Sequence, residues 1–189
     1  LAYRPLVDML EALSNRLSDA QRPLSGGRST IFRMNRDVRF SQDKAPYKTS
    51  ISGMLTPSGV KSEGAGIVYL QLCECGGFAA EGYFNLSPIQ LIPILDAIIE
   101  RADTFDRVLD DIAQSGYMLD DSSSLTSMPR GYAEHSAHRH AEHIKRKSLL
   151  IQHPLSEADW KNGDVIEHIE KLARAAMPLF TFQDPARSD

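Results

Sequence analysis

The chain has 189 residues and 21.0 kDa, with 42% hydrophobic and 24% charged side chains, a length and balance that suit one globular domain with its own core. Two cysteines, Cys73 and Cys75, exclude a disulfide framework, and no apolar run approaches the ~20 residues of a membrane span. A net charge of -4 argues against a generic nucleic-acid coat but leaves room for a local basic site.

The N-terminus reads LAYRPLVDML, without the basic-then-apolar order of a secretion signal, so a reducing cytoplasm is expected. It also lacks an initiating Met, so the single domain, 1-189, is expected to be N-terminally incomplete. Pro5 opens a helical pattern in which Leu6, Met9, Leu10, Leu13 and Leu17 form one apolar stripe. That helix is expected to end before Arg22-Pro23, with LSGG as a loop. Ile31 to Met34 predicts a short strand, Ser41 to Pro46 an irregular loop, and Thr49 to Leu55 a second strand closed by the turn Thr56-Pro57-Ser58-Gly59. Ile67 to Leu72 and Phe78 to Phe84 are β-rich runs. Gly76-Gly77 between them predicts a hairpin with a two-residue turn, pairing Cys75 with Phe78 and Cys73 with Ala80.

Helices are expected next. Ser87-Pro88-Ile89-Gln90 joins an N-cap, a proline at the first helical position and a capping-box Gln, followed by the stripe Leu91, Leu95, Ile98 and Ile99. Pro93 inside this pattern predicts a kink or a delayed start. Thr104 is placed to cap another helix that turns Phe105, Val108, Leu109 and Ile112 inward. Asp120 to Thr126 is a polar loop, His140 to Lys147 reads as helical, and Leu149 to Ile151 as a short strand. A turn over Leu155 to Trp160, anchored by Trp160, leads to a last helix that starts near Asn162-Gly163-Asp164 and buries Val165, Ile169, Leu172, Ala176 and Leu179. Helices flanking strands joined by tight turns predict an α+β domain, an antiparallel β-sheet packed against several α-helices.

The charge is unevenly placed. Arg33 to Lys48 holds five cations against two acids, +3, and Tyr132 to Lys147 holds four against two, +2, so the remainder of a chain at -4 carries -9. Within the first segment runs R-x-x-R-D-x-R-F-x-x-x-D-K-x-x-Y, from Arg33 through Arg36, Asp37, Arg39, Phe40, Asp43 and Lys44 to Tyr47. This run resembles the signature of an uncharacterised, mainly bacterial family, domain of unknown function 2461. The resemblance extends through GIVYLQL, Pro129-Arg130-Gly131-Tyr132, Lys145-Arg146-Lys147-Ser148 and the C-terminal helix, nearly the whole chain. Counting back from Lys145, the family's usual His falls on His138. No established activity comes with the family, so function has to be read from the chemistry of the residues.

Arginine offers planar, two-pronged donors that match phosphate and carboxylate. Arg33, Arg36 and Arg39 are therefore candidate anion clamps, with Lys44 as a compact charge and Asp37 and Asp43 orienting the cations. Arg130, Tyr132 and Lys147 extend the candidate ligand set from the second segment, and the two segments are expected to share a cleft. Tyr47, a hydroxyl donor, and His138, which titrates near neutral pH, are the candidate catalytic groups. His135, His138, His140 and His143 would point in different directions on an ideal helix, and Cys73-Glu74-Cys75 reads as a strand end, so neither a metal nor another cofactor is expected.

Three functions compete. The favoured one is binding of a small anionic ligand, phosphate- or carboxylate-bearing, with or without enzymatic turnover. The second is a structural or protein-interaction module in which the Arg/Asp run is a folding staple. The third is a nucleic-acid-associated protein, opposed by the acidic remainder and an aromatic content of 7%. No membrane partner is expected.

Overall fold

In the computed structural model, which describes residues 3–33, 49–61, 65–74, 76–84 and 86–183, the first apolar stripe forms helix α1, Tyr3–Arg16, burying Leu6, Met9, Leu10 and Leu13. The helix ends well before Arg22-Pro23. Ser14 Oγ accepts the N–H of Gly26 at 2.8 Å and so ties the LSGG loop back onto α1. The expected Ile31 strand is reduced to an isolated antiparallel bridge between Ile31 and Gly53 and a bond from Phe32 N–H to Ser52 O at 2.9 Å. Met34 and the predicted Ser41 to Pro46 loop lie outside the described residues.

Strand β1, Ile51–Leu55, pairs antiparallel with β2, Ala65–Cys73, in the register Ile51 to Leu72, Gly53 to Leu70 and Leu55 to Val68. Strand β3 is Gly76–Tyr83 and β4 is Leu149–Ser156, and the four-stranded antiparallel sheet runs β1-β2-β3-β4. With its helices this is an α+β fold. The hairpin strands adjoin as the sequence predicts, but the turn does not sit at Gly76-Gly77, because both glycines lie inside β3. A Cβ on Gly76 would stand 2.0 Å from Leu155 O, and one on Gly77 2.0 Å from Gln71 O. Both have positive φ (119° and 150°), so the glycines serve close backbone approach within the sheet rather than the turn.

Two compact units divide the chain. The first comprises Leu1–Glu63, Ile67–Ala80 and His153–Leu172. Within it α1 packs on β1, and helix α5, Glu157–Asn162, replaces the expected turn around the half-buried Trp160. The Ser156 hydroxyl accepts from Asp159 N–H at 3.2 Å, Asp159 Oδ2 accepts from Ser156 N–H at 2.6 Å, and Gly163 in the left-handed region (φ 83°) ends the helix. Helix α6, Val165–Gln183, buries all five residues assigned to its stripe and carries Pro178 internally.

The second unit comprises Gly64–Gly66, Glu81–Gln152 and Ala173–Asp189. Helix α2, Pro88–Glu100, begins at its capping box and runs without a delayed start through Pro93. Helix α3, Ala102–Gln114, starts two residues before the expected cap at Thr104. Arg101 serves as both the C-cap of α2 and the N-cap of α3, so one residue joins the two helices. Its buried face is Phe105, Val108 and Ile112. The predicted helix over His140 to Lys147 shrinks to α4, Ala141–Ile144, because Arg146 leaves it to bridge Ser124 while Leu125 N–H bonds Lys145 O at 2.8 Å. Among the described residues no helix is long and apolar enough to cross a membrane.

Candidate functional site

The second cationic segment lies wholly in the second unit and is built on α3. Asp103 and Asp106, three residues apart, share a helix face, and Arg139 reaches both, at 3.2 Å for Asp106 Oδ2. The hydrogen bond to Arg139 holds the Asp103 carboxyl below its usual range, and its counterpart holds Arg139 above. His140, only 4% exposed, places Nε2 3.1 Å from Asp106 Oδ1 and 3.2 Å from Ala102 O. Phe105 is fully buried between the ring edges of His140 and His143, with centroid distances of 4.9 and 5.3 Å.

A 3-10 turn at Ala133–Ala137 precedes α4, so the four histidines are not on one helix and their rings form a ladder instead. Centroids are 6.4 Å apart from His135 to His138, 5.6 Å from His138 to His140 and 5.6 Å from His140 to His143. Burial pushes the His143 imidazole down to about 4, helped by the nearby Arg146 and His140. Burial also lowers His138, with His140, His135 and Arg139 adding to the effect. Among the described residues no group of three or more His, Cys, Asp or Glu is arranged to hold a metal ion.

Tyr132 caps the 3-10 turn. Its hydroxyl donates to Asp96 Oδ1 at 2.8 Å, and burial together with that carboxylate pushes the phenol up to about 12. The single phenolic proton is therefore committed within the protein. His138 is half-buried, and its Nδ1 accepts the backbone N–H of His140 at 3.1 Å. Lys145 bonds Glu142 at 2.7 Å. Arg130 and Lys147 are exposed and form no ion pair with a described residue.

Of the expected site residues, this unit holds Arg130, Tyr132, His138 and Lys147. Tyr132 and His138 are joined by the ring ladder through His135, whose centroid is 6.2 Å from that of Tyr132. Arg33 belongs to the first unit, where it is exposed beside Phe32. There Lys61 donates to Ile31 O at 2.8 Å and lies 5.9 Å over the Phe32 ring, which tilts against Tyr69 at 6.0 Å. Arg36, Asp37, Arg39, Asp43, Lys44 and Tyr47 lie outside the described residues. Sequence reasoning missed Asp96, Asp103 and Asp106. They sit on helices read only for their apolar stripes, and the i, i+3 pair of aspartates was the one local signal.

A family model described as "Conserved hypothetical protein (DUF2461)" matches residues 2–182. No curated protein and no solved structure matches the chain.

Proposed function

The chain belongs to the DUF2461 family, whose description names no activity, and from its chemistry we propose that it binds a small anionic ligand, phosphate- or carboxylate-bearing, through its Arg/Lys/Tyr set. The observation that carries the reading is the split among the cations of the second unit. Arg139 and Lys145 are engaged by Asp103, Asp106 and Glu142, whereas Arg130 and Lys147 are exposed with no ion pair to a described residue. A folding staple would engage its guanidinium groups internally, and an anion site leaves some of them for the ligand.

The motif cations Arg33, Arg36, Arg39 and Lys44, with Asp37, Asp43 and Tyr47, supply the same chemistry from the first segment. Turnover would draw on Tyr47 and His138. The reading sets the protein in a bacterial cytoplasm, where phosphorylated and carboxylated metabolites are abundant. The staple reading is favoured by one specific observation, the Arg139 pairs with α3, and it describes that residue rather than the segment. Calorimetric titration of inorganic phosphate into the wild type, Arg36→Ala and Arg130→Ala tests the proposal, each variant reading the share of its own segment. Saturable binding lost in Arg36→Ala supports it, and no heat of binding to the wild type sinks it.

A further inference from the structure

The bond from His140 N–H to His138 Nδ1 fixes more than the orientation of a ring. A neutral imidazole has one N–H and one lone pair, and the nitrogen that accepts a hydrogen bond cannot be the one carrying the proton. The proton of His138 therefore sits on Nε2. The ring is held on both sides by His135 and His140 and is only half-buried, and Nε2 has no partner among the described residues. The neighbouring phenol of Tyr132 keeps its proton and spends it as a hydrogen bond to Asp96, so it offers a ligand no donor and leaves that part to Nε2.

We propose that His138 acts as a fixed hydrogen-bond donor through Nε2 and not as a general base, so the ligand group that meets it is a fully deprotonated oxyanion. The inference rests on the anion-binding reading and narrows it in two ways. It assigns the nitrogen that faces the ligand, and it excludes proton abstraction by His138, whose lone pair is already occupied. Charged and titratable neighbours enforce the arrangement. His135 and His140 flank the ring on its own segment, Arg139 adjoins it in sequence, and from α3 Asp103 and Asp106 hold Arg139 and His140. Burial disfavours a further proton on Nδ1, and His140, His135 and Arg139 around the imidazole add to the effect.

The test uses the full chain labelled with 15N at histidine and arginine, with sulfate as the probe because it stays a dianion across neutral pH. Long-range 1H–15N spectra distinguish the two imidazole tautomers, and His138→Gln and Arg130→Ala assign the signals. The expected result is a neutral Nε2–H tautomer at His138 and a shift of its signal on sulfate addition. His138→Gln, which keeps an N–H donor at the same reach, should bind sulfate within about threefold of the wild type, and His138→Ala about tenfold more weakly. An Nδ1–H tautomer overturns the inference. So does a sulfate titration that moves the Arg130 signal and leaves His138 in place, although the anion-binding reading would then stand. If sulfate moves neither, this inference is overturned, and if the wild type also shows no saturable sulfate binding the anion-binding reading falls with it.

Discussion

His140 turns its backbone N–H to His138 Nδ1 at 3.1 Å while its own ring lies 3.1 Å from Asp106 on α3. The two histidines are thus oriented in sequence, one by the peptide of the next and that one by a carboxylate from another helix. Removing the carboxylate should loosen both. Asp106→Ala is expected to lower stability by about 1 kcal/mol, a modest figure because the aspartate is partly exposed to solvent. Denaturant unfolding measures it, and the His138 resonance should broaden in the same variant. A sharp, unshifted His138 signal would show that α3 does not position the ring.

Phe105 is the fully buried centre of the same arrangement, with His140, His143 and Phe182 around it at 4.9, 5.3 and 5.3 Å. Phe105→Ala is expected to cost about 3–5 kcal/mol, because it removes the ring and leaves a cavity. Phe105→Leu should cost less than half of that. Equal losses would mean that the edge contacts to the histidines, and not filled volume, dominate the site's energy.

Acid should destabilise the protein above the range where carboxylates titrate. The folded imidazole of His143 is pushed down to about 4, below its unfolded value, so the unfolded chain binds the extra proton first. Stability is therefore complete near neutral pH and declines as pH falls from about 6.5 toward 4. The depressed His138 adds with the same sign. The depressed carboxyls of Asp103, Glu142 and Asp159 act lower, their stabilisation being lost only as pH falls below about 4. Stability measured from pH 7 to 4.5 should fall in the wild type and clearly less in His143→Gln. Parallel slopes for the two proteins would contradict this assignment.

Gly82 has φ 142°, and a Cβ built there would lie 2.2 Å from Leu149 O and 2.5 Å from Leu150 Cα on β4. Gly82→Ala should destabilise by more than about 2 kcal/mol, through backbone strain and a clash with an adjacent main chain. Gly131 is the control. It also has positive φ (92°), but nothing stands within 4 Å of its built Cβ, so Gly131→Ala should cost about 1 kcal/mol.

These glycines also show where the amino-acid order stops being informative. The α1 and α6 stripes and the Ser87–Gln90 cap were legible because helical burial and capping are set by residues three or four apart. Gly76-Gly77 reads locally as a turn, but the use of Gly76 is dictated by Leu155, 79 residues beyond it, whose carbonyl leaves no room for a side chain. The short α4 has the same origin, since Ser124 draws Arg146 into a bridge that no helical pattern foretells. At the site, the cations were visible as a charge imbalance. The engagement of Arg139 was not, because it depends on Asp103 and Asp106 from α3, far back along the chain.

The central claim is that these cations await an anion, and ligand-dependent thermal stability tests it most directly. Binding to the folded state alone raises the melting temperature in step with the logarithm of free ligand over its dissociation constant. Inorganic phosphate should therefore raise the melting temperature of the wild type progressively at constant ionic strength. The rise should vanish in Arg36→Ala and shrink in Arg130→Ala. Arg139→Ala, which removes an internally paired guanidinium, should start from a lower melting temperature yet keep the full phosphate-dependent rise. An identical rise in the wild type, Arg36→Ala and Arg130→Ala, or none in any of them, would contradict the account.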